Sequence, residues 1–278
     1  MVDGSGNGSG LLRATFVHLP GIGPATEAEL WRRGVRDWAA LRRLSDAAPS
    51  PSRVASDRLR AALAASERAL ADGDAAWFGH HLPEREHWRI YPEFRTRTAF
   101  LDIETTGLSP YEGIVTVVTV HGGGATRSFV AGEDLEELPA HLRRFPLLVT
   151  FNGSRFDVPF LAVTFPQLLV PPVHIDLRFL LYRLGYSGGL KRIESTLGLG
   201  DRTGVEGVDG LQAVRLWQEY RRGSRAALDK LVRYNRADTT NLEPLLHLAV
   251  DELAGRLLPR AVPAGAIPAG LRPSAPVG

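Results

Sequence analysis

The pattern of apolar residues changes near Thr98, and this change limits the chain to a small set of architectures. Before it, apolar residues recur at helical spacing, as in Leu30, Trp31 and Leu41. After it, short apolar runs alternate with helical segments, and three glycines at 122–124 separate two of the runs, which is typical of a β-hairpin. The pattern predicts an α/β fold, a mixed sheet flanked by helices and preceded by a small all-helical domain.

The same patterns predict five parts along the chain. They are a flexible tail over 1–10, a helical domain over 11–73, a connector over 74–97, the α/β domain over 98–257, and a Pro/Gly/Ala-rich flexible tail over 258–278. The connector is ambiguous, with an extended piece expected around residues 88–91. Strands are predicted over 98–104, 114–121, 126–130, 147–151 and 173–175. Helices are predicted over 56–70, 133–145, 157–165, 177–184, 189–197, 210–222 and 224–257.

Composition excludes several chemistries. The chain has no cysteine, so disulfides, thiol nucleophiles and cysteine–zinc sites are excluded. The first ten residues lack the apolar core of a signal peptide, and no apolar stretch approaches the roughly 18 residues of a membrane span. We therefore expect a cytoplasmic protein with no membrane contact. The sequence pI of about 9.1 comes almost entirely from arginine. Arginine suits phosphate binding, but a coding bias explains the excess equally well.

Two acids follow each other at strand spacing in the first predicted strand. Residues two apart on a strand point to the same face, so Asp102 and Glu104 project together while Leu101 and Ile103 point to the other side. Two buried carboxylates repel each other unless a cation compensates them, and Mg²⁺ prefers oxygen ligands. The alternative is an exposed edge strand whose acids are solvated.

Two further acids stand at positions that have ordinary structural explanations as well. Asp157 follows an apolar strand and a turn, where it is either a metal ligand or the N-cap of a helix with Pro159 just inside. Tyr234 and Asp238 lie four residues apart on a long helix and share one face. They either converge on a site or are a core tyrosine and a solvated aspartate.

Together these elements resemble the three motifs of the DEDD superfamily of ribonuclease-H-like exonucleases. The resemblance covers about residues 98–250, and its most specific piece is LDIETTGL at 101–108. The third motif has the spacing of the tyrosine subclass, because the histidine subclass would need histidine where Arg233 stands. The segments LPGIG, FNGSRFDVPFL, GGLKRIESTLGL and YNRADTTNL are similar to those of bacterial YprB-type ribonuclease-H-like proteins.

The resemblance implies a two-metal-ion nuclease that uses Mg²⁺ or Mn²⁺ and removes nucleotides from the 3′ ends of single-stranded DNA or RNA. It implies that Asp102 bridges the ions, that Glu104 and Asp238 hold the ion on the nucleophile side, and that Asp157 holds the other. Tyr234 would orient the attacking water. Two ions about 3.5–4 Å apart stabilise both the attacking and the leaving oxygen of a phosphoryl displacement.

Other residues near these motifs are candidate substrate contacts. The backbone at Thr105 and Gly107 could approach the terminal nucleotide, because glycine permits close contact. Asn152 either touches substrate or forms a turn, and Lys191 either binds phosphate or is a solvated helix residue. Asp176 is predicted to cap a helix, and His174 is predicted to be an ordinary structural histidine.

The N-terminal segment Leu19-Pro20-Gly21-Ile22-Gly23 precedes a helix and resembles a helix–hairpin–helix motif. Its glycines would let backbone N–H groups of Gly21, Ile22 and Gly23 bind a nucleic-acid phosphate. A plain helical hairpin, or a protein-docking element, explains the same residues.

For the whole chain the alternatives to an exonuclease are a catalytically silent nucleic-acid-binding module on the same fold and a phosphodiesterase of short oligonucleotides.

Overall fold

The computed structural model describes residues 10–47 and 56–258, and the predicted tails fall almost entirely outside these ranges. Three helices form the N-terminal region: α1 (Pro24–Arg32), α2 (Trp38–Ala47) and α3 (Ser56–Ala71). Pro24 starts α1 because its missing N–H is not needed in a first turn. Residues 10–21 form turns rather than a helix, so the first helix of the predicted helix–hairpin–helix is not formed.

The connector is helical, and the extended piece expected around residues 88–91 is wrong. It contains α4 (Ala75–His81), a 3₁₀ helix over Glu84–Arg89, α5 (Tyr91–Phe94) and a 3₁₀ helix over Arg95–Arg97. Arg89 is buried, and its Nε donates to Glu86 Oε2 at 2.8 Å. Residues three apart share a side on a helix but lie on opposite faces of a strand, so this ion pair favours the helical turn.

A five-stranded mixed sheet follows, as predicted. Its strands, in chain order, are β1 (Thr98–Thr105), β2 (Val115–Gly122), β3 (Ala125–Val130), β4 (Leu147–Thr150) and β5 (Val173–Asp176). The strands lie in the order β3-β2-β1-β4-β5. β1 pairs antiparallel with β2 and parallel with β4. The β2–β3 turn has Gly123 and Gly124 at φ +60° and +79°, the conformation that tight hairpins require.

The later helices are α6 (Leu138–Leu142), α7 (Asp157–Thr164), α8 (Leu177–Leu184), α9 (Leu190–Leu197), α10 (Gly210–Arg221), α11 (Arg225–Thr240) and α12 (Leu242–Leu257). Two predicted helices are shorter than expected, and proline explains both. The helix expected over 133–145 is reduced to a 3₁₀ turn over Leu135–Glu137 and α6, which contains Pro139. The helix expected over 224–257 is divided at Asn241, ahead of Pro244. A proline ring clashes with the carbonyl four residues earlier.

Each face of the sheet is covered. On one face, Leu101 and Ile103 pack with Phe160 and Leu161 of α7. On the other face, α11 packs beside β1 and β2. The rest of that face contributes to an apolar core shared with the N-terminal helices, α8 and α12, whose members include Leu30, Trp38, Val149, Leu181 and Leu246. None of the helices in the described ranges has the length and apolar character needed to cross a bilayer.

Candidate active site

β1 carries Asp102 and Glu104 toward α11, on the face opposite Leu101 and Ile103. The two apolar residues enter the core formed with α7, as the strand spacing predicted. Glu104 is buried and Asp102 is partly exposed. Opposite Glu104 in the sheet is Val117, which packs against α11. The two carboxylates therefore lie between the sheet and α11.

α11 supplies the third acid. One carboxylate oxygen each from Asp102, Glu104 and Asp238 lies within 4.8 Å of the others, so these three residues could hold a metal ion. Asn235, one turn before Asp238, donates from Nδ2 to Asp102 Oδ2 at 2.8 Å. The strand and the helix are thus joined directly at the acidic group.

Asp157 begins α7 and is buried beside these three acids without being part of their group. Burial raises the pKa of its carboxyl group, and the backbone N–H groups of Asp157 and Ile103 oppose that rise. The N-cap position belongs to Phe156, so Asp157 is not the capping residue considered as the alternative. The negative charge of Asp157 adds to the effect of burial in raising the pKa values of Asp102 and Glu104. Asp157 therefore acts electrostatically on these acids although it is not one of the three that converge.

Asp102, Glu104 and Asp157 all have raised pKa values. Burial, with Asp238 as the next cause, raises the pKa of Glu104 to about 8 and that of Asp102 well above its usual range. Burial raises the pKa of Asp157 to about 7. Asn235 Oδ1, beside Asp102, is buried and has no hydrogen-bond partner among the described residues. The site therefore combines several carboxylate oxygens, an excess of negative charge and an unpaired amide oxygen. This combination fits a divalent cation such as Mg²⁺, which prefers oxygen ligands.

Tyr234 lies on the same face of α11 as Asp238 and is buried. Burial and the negative charges of Asp238, Glu104 and Asp102 raise its pKa, so the phenol stays protonated at neutral pH. The ammonium group of Lys191 lies 4.6 Å from the centre of the Tyr234 ring. The convergence of Tyr234 and Asp238 expected from their helical spacing is therefore present.

The structure brings one predicted substrate contact to the acids and leaves another elsewhere. Lys191 donates to the Val208 carbonyl, and its positive charge partly opposes the rise that burial causes in the pKa of Glu104. Asn152 forms a turn at φ +64°, and its side chain accepts from Arg178 at 2.6 Å. Asp176 caps α8, and His174 is hydrogen-bonded to Thr150, so both have the structural roles expected for them.

The loop after Glu104 contains the other two predicted contacts. Thr105 donates from Oγ1 to the Gly107 carbonyl at 2.6 Å. A Cβ on Gly113 would lie 2.9 Å from the Gly107 nitrogen, so the two ends of the loop touch through their backbones. The loop presents Leu108 and Tyr111, which are 90% and 87% exposed.

The N-terminal candidates belong to the start of α1. Gly21 has φ +75°, Ile22 is buried in the core, and Gly23 is the N-cap of α1 at φ −97°. None of the contacts described for the acidic site includes these residues.

Sequence reasoning missed four residues at the site: Asn235, Arg202, Glu194 and Asn241. Arg202 donates from Nη1 to Asp238 Oδ1 and from Nε to Glu194 Oε2, both at 2.5 Å. Asn241, which separates α11 from α12, donates to the other oxygen of Glu194 at 3.1 Å. Arg202 lies in a glycine-rich segment that reads as an ordinary loop, so no pattern linked it to Asp238.

The chain belongs to the RNase_H superfamily, whose family model matches residues 99–250. A comparison with curated proteins gave no match. Among solved structures, a family B DNA polymerase from the archaeon Pyrobaculum calidifontis is 20% identical, with TM-score 0.43 over 58% of this chain. This chain spans only 24% of the polymerase.

Two smaller proteins have similar scores. Brucella melitensis NrnC with bound Mg²⁺ is 22% identical, with TM-score 0.39 over 58% of this chain and 77% of NrnC. Escherichia coli RNase D, described as an exoribonuclease involved in structured RNA processing, is 18% identical, with TM-score 0.41 over 67% of this chain and 46% of RNase D. The family membership rests on the family match, and it agrees with the expected ribonuclease-H-like mixed sheet.

Proposed function

We propose that this chain is a divalent-metal-dependent nuclease that hydrolyses phosphodiester bonds of nucleic acid. The observation that carries the proposal is the convergence of Asp102, Glu104 and Asp238, two from a strand and one from a helix, in a chain of the RNase_H superfamily. Asp157 completes a set of four acids, of which Glu104, Asp157 and Asp238 are buried, and Tyr234 adds a protonated hydroxyl at the same place.

Asp102, Glu104, Asp157 and Asp238 would hold Mg²⁺ or Mn²⁺, and a pair of ions is the finer proposal. When bound, a divalent ion lowers the pKa of its water and stabilises charge on phosphate oxygens. The chain's own residues do the rest. Asn235 orients the Asp102 carboxylate through its hydrogen bond, and Tyr234 can donate a hydrogen bond to an oxygen of water or phosphate.

The direction of hydrolysis is a further part of the proposal. We propose removal of mononucleotides from the 3′ ends of single strands, as the motif resemblance implies. A 5′-labelled strand should give a descending ladder of products, and a circular single strand should stay intact. Release of a labelled 5′ mononucleotide, or opening of the circle, contradicts the 3′ polarity without contradicting the nuclease.

The test of the nuclease compares two variants of one helix. End-labelled single- and double-stranded DNA and RNA are incubated with Mg²⁺ or Mn²⁺ and resolved on a gel. Asp238→Asn should abolish cleavage, as should a chelator added to the unmodified protein. Asp229→Asn, which removes a half-exposed acid from the same helix, should leave cleavage intact.

Two outcomes contradict the proposal. Full activity in Asp238→Asn would show that Asp238 is not part of the metal site and that the active site is assigned wrongly. Binding of nucleic acid without cleavage of any substrate under any of these conditions supports the silent binding module instead.

A further inference from the structure

Arg202 is held at the acidic site by a packed loop between α9 and α10. Asn241 Oδ1 accepts from the Asp201 N–H at 3.0 Å, next to Arg202 in the chain. Gly200 has φ +94°, and a Cβ there would lie 2.8 Å from Asn241 Nδ2. Farther along the loop, Val205 and Val208 are buried in the core that contains Tyr234. The loop is therefore anchored on both sides of Arg202.

Two carboxylates orient the guanidinium itself. Glu194, whose side chain is 4% exposed, accepts from Nε, and Asp238 accepts from Nη1. Glu194 is in turn fixed by Asn241. A guanidinium is a rigid planar fork, so two such bonds determine where its third nitrogen lies. A lysine ammonium at this position could not be oriented in the same way.

The third nitrogen is left without a partner. Arg202 Nη2 is buried and makes no hydrogen bond within the described residues. Buried donors in folded proteins almost always have an acceptor, and an unpaired one needs an explanation. Because Nη2 shares its plane with Nη1, it lies beside Asp238 and hence beside the acids proposed to hold metal. An oxygen acceptor with negative charge is the partner that its position and charge favour.

We propose that Arg202 binds the substrate by donating from Nη2 to a non-bridging phosphate oxygen of the nucleic acid, with Glu194 and Asn241 as its positioning residues. The inference rests on the proposed function, which requires a phosphodiester at the acids. Nη2 is closed to solvent in the substrate-free structure, so a phosphate oxygen reaches it only when the side chains around the guanidinium move apart on substrate binding. The competing explanation is that Arg202 only neutralises Asp238 and competes with divalent ions for it.

The experiment measures strand binding and ion binding separately in the full-length chain. Anisotropy of a fluorescein-labelled single-stranded oligonucleotide of about twenty nucleotides is followed in Ca²⁺ at several salt concentrations, and a gel verifies that the strand stays intact. Mn²⁺ binding without nucleic acid is measured by electron paramagnetic resonance. The variants are Arg202→Gln and Arg202→Lys. The control is Arg215→Gln, which removes an exposed arginine from α10.

Arg202→Gln should weaken oligonucleotide binding by about tenfold to a hundredfold, the range of one hydrogen bond to a charged group. The slope of log affinity against log salt should become shallower by about 0.7, the contribution of one phosphate contact on a single strand. Arg202→Lys should keep most of the slope and lose part of the affinity, because it keeps the charge without the fork. Arg215→Gln should match the unmodified protein.

Two results overturn the role of Arg202. If Mn²⁺ binds more tightly to Arg202→Gln while oligonucleotide affinity and slope are unchanged, Arg202 is a counter-ion only. If both variants lose affinity together with thermal stability while the slope is unchanged, the role is structural. Failure of the unmodified protein to bind either Mn²⁺ or the oligonucleotide would instead count against the proposed function. The two failures are therefore distinguishable.

Discussion

At the scale of single residues, burial sets how the acids of the site respond to protonation. The pKa of Glu104 is raised to about 8 and that of Asp157 to about 7, with burial as the first cause in both. A carboxyl group whose pKa is raised by folding holds its proton more tightly in the folded state than in the unfolded state. Folding is then favoured at low pH, and this advantage disappears as pH rises through the folded-state pKa.

We therefore expect the metal-free protein to lose stability between pH 6.5 and 8.5. Each proton released on unfolding contributes up to about 1.4 kcal/mol per pH unit in this direction. The window lies above the range in which His18 titrates, because burial lowers its pKa to about 3 in the folded state. Thermal melting in a chelator should show a falling midpoint, and Mg²⁺ should raise the midpoint more at pH 8.5 than at pH 6.5.

Glu104→Gln is the control for this behaviour, since it removes the carboxyl group whose pKa lies nearest pH 8. The variant should show a smaller loss of stability with pH and a smaller effect of Mg²⁺. A melting midpoint that rises with pH in the unmodified protein would contradict the raised pKa values.

Removing the hydroxyl of Tyr234 should separate metal binding from turnover. Tyr234→Phe keeps the ring beside Lys191 and leaves all four acids in place, so Mn²⁺ affinity should be retained. We expect kcat to fall by about 10–10³-fold, the scale of one positioned hydrogen-bonding group. Tyr220→Phe is the matched control, because that hydroxyl bonds the surface residue Glu133. Unchanged turnover in Tyr234→Phe would make Tyr234 a core residue only.

The acids could be predicted from sequence, and the groups that support them could not. Strand and helix spacing place Asp102 with Glu104 on one face of a strand and Tyr234 with Asp238 on one face of a helix. The resemblance to the three exonuclease motifs is what joined them into one predicted site. Asn235 and Arg202 reach the acids through tertiary contacts across 133 and 36 residues of chain. Such long-range contacts leave no periodic pattern in the sequence. A glycine-rich loop likewise does not indicate which residues its arginine contacts.

At the scale of elements, the strands and most helices followed from apolar periodicity, whereas helix ends depended on proline. Pro139 and Pro244 lie inside the two helices predicted too long, and their positions were visible in the sequence. The connector was harder because Trp88, Arg89, Ile90 and Tyr91 are all buried, with no alternation. Arg89 is buried through its ion pairs with Glu27 and Glu86, which sequence patterns do not show.

The turn between β4 and α7 should be sensitive to one methyl group. A Cβ on Gly153 would overlap the side chain of Thr150, which is fully buried and hydrogen-bonded to His174. Gly153→Ala should therefore cost about 1–3 kcal/mol of stability and lower activity, because the turn positions Asp157. Urea unfolding and the cleavage assay measure the two effects.

Gly210→Ala is the matched control for this change. A Cβ at Gly210 meets no atom within 4 Å, and the residue starts a helix, where alanine is favourable. This variant should be as stable as the unmodified protein or slightly more so. Equal behaviour of the two variants would mean that the β4–α7 turn can relax around the added methyl group.

At the scale of the whole molecule, the N-terminal helices and the sheet share one core. Leu30 and Trp38 belong to the same apolar cluster as Val149 of β4 and Leu246 of α12. Arg89 Nη1 also donates to Glu27 of α1 at 2.9 Å, and both side chains are buried. Deleting the N-terminal region would expose this core and remove Glu27 from its buried ion pair with Arg89, so a shortened chain is a poor test of what that region binds.

A substitution at the start of α1 tests the predicted nucleic-acid anchor without disturbing the core. Gly23 has φ −97°, and a Cβ there meets nothing within 4 Å, so Gly23→Val strains neither the backbone nor its neighbours. It does place a branched side chain beside the free N–H groups of the first helical turn. If those groups bind phosphate, long single strands should bind several-fold more weakly while kcat at saturation is unchanged, because such contacts stabilise ground and transition states alike. Oligonucleotides too short to reach both regions should be cut as before.

Gly255→Val is the control, at another exposed glycine with open space around it, and it should change neither the binding of long strands nor kcat. If Gly23→Val weakens the binding of long and short strands equally, or of neither, the turn is not a nucleic-acid anchor. It is then a structural or protein-docking element.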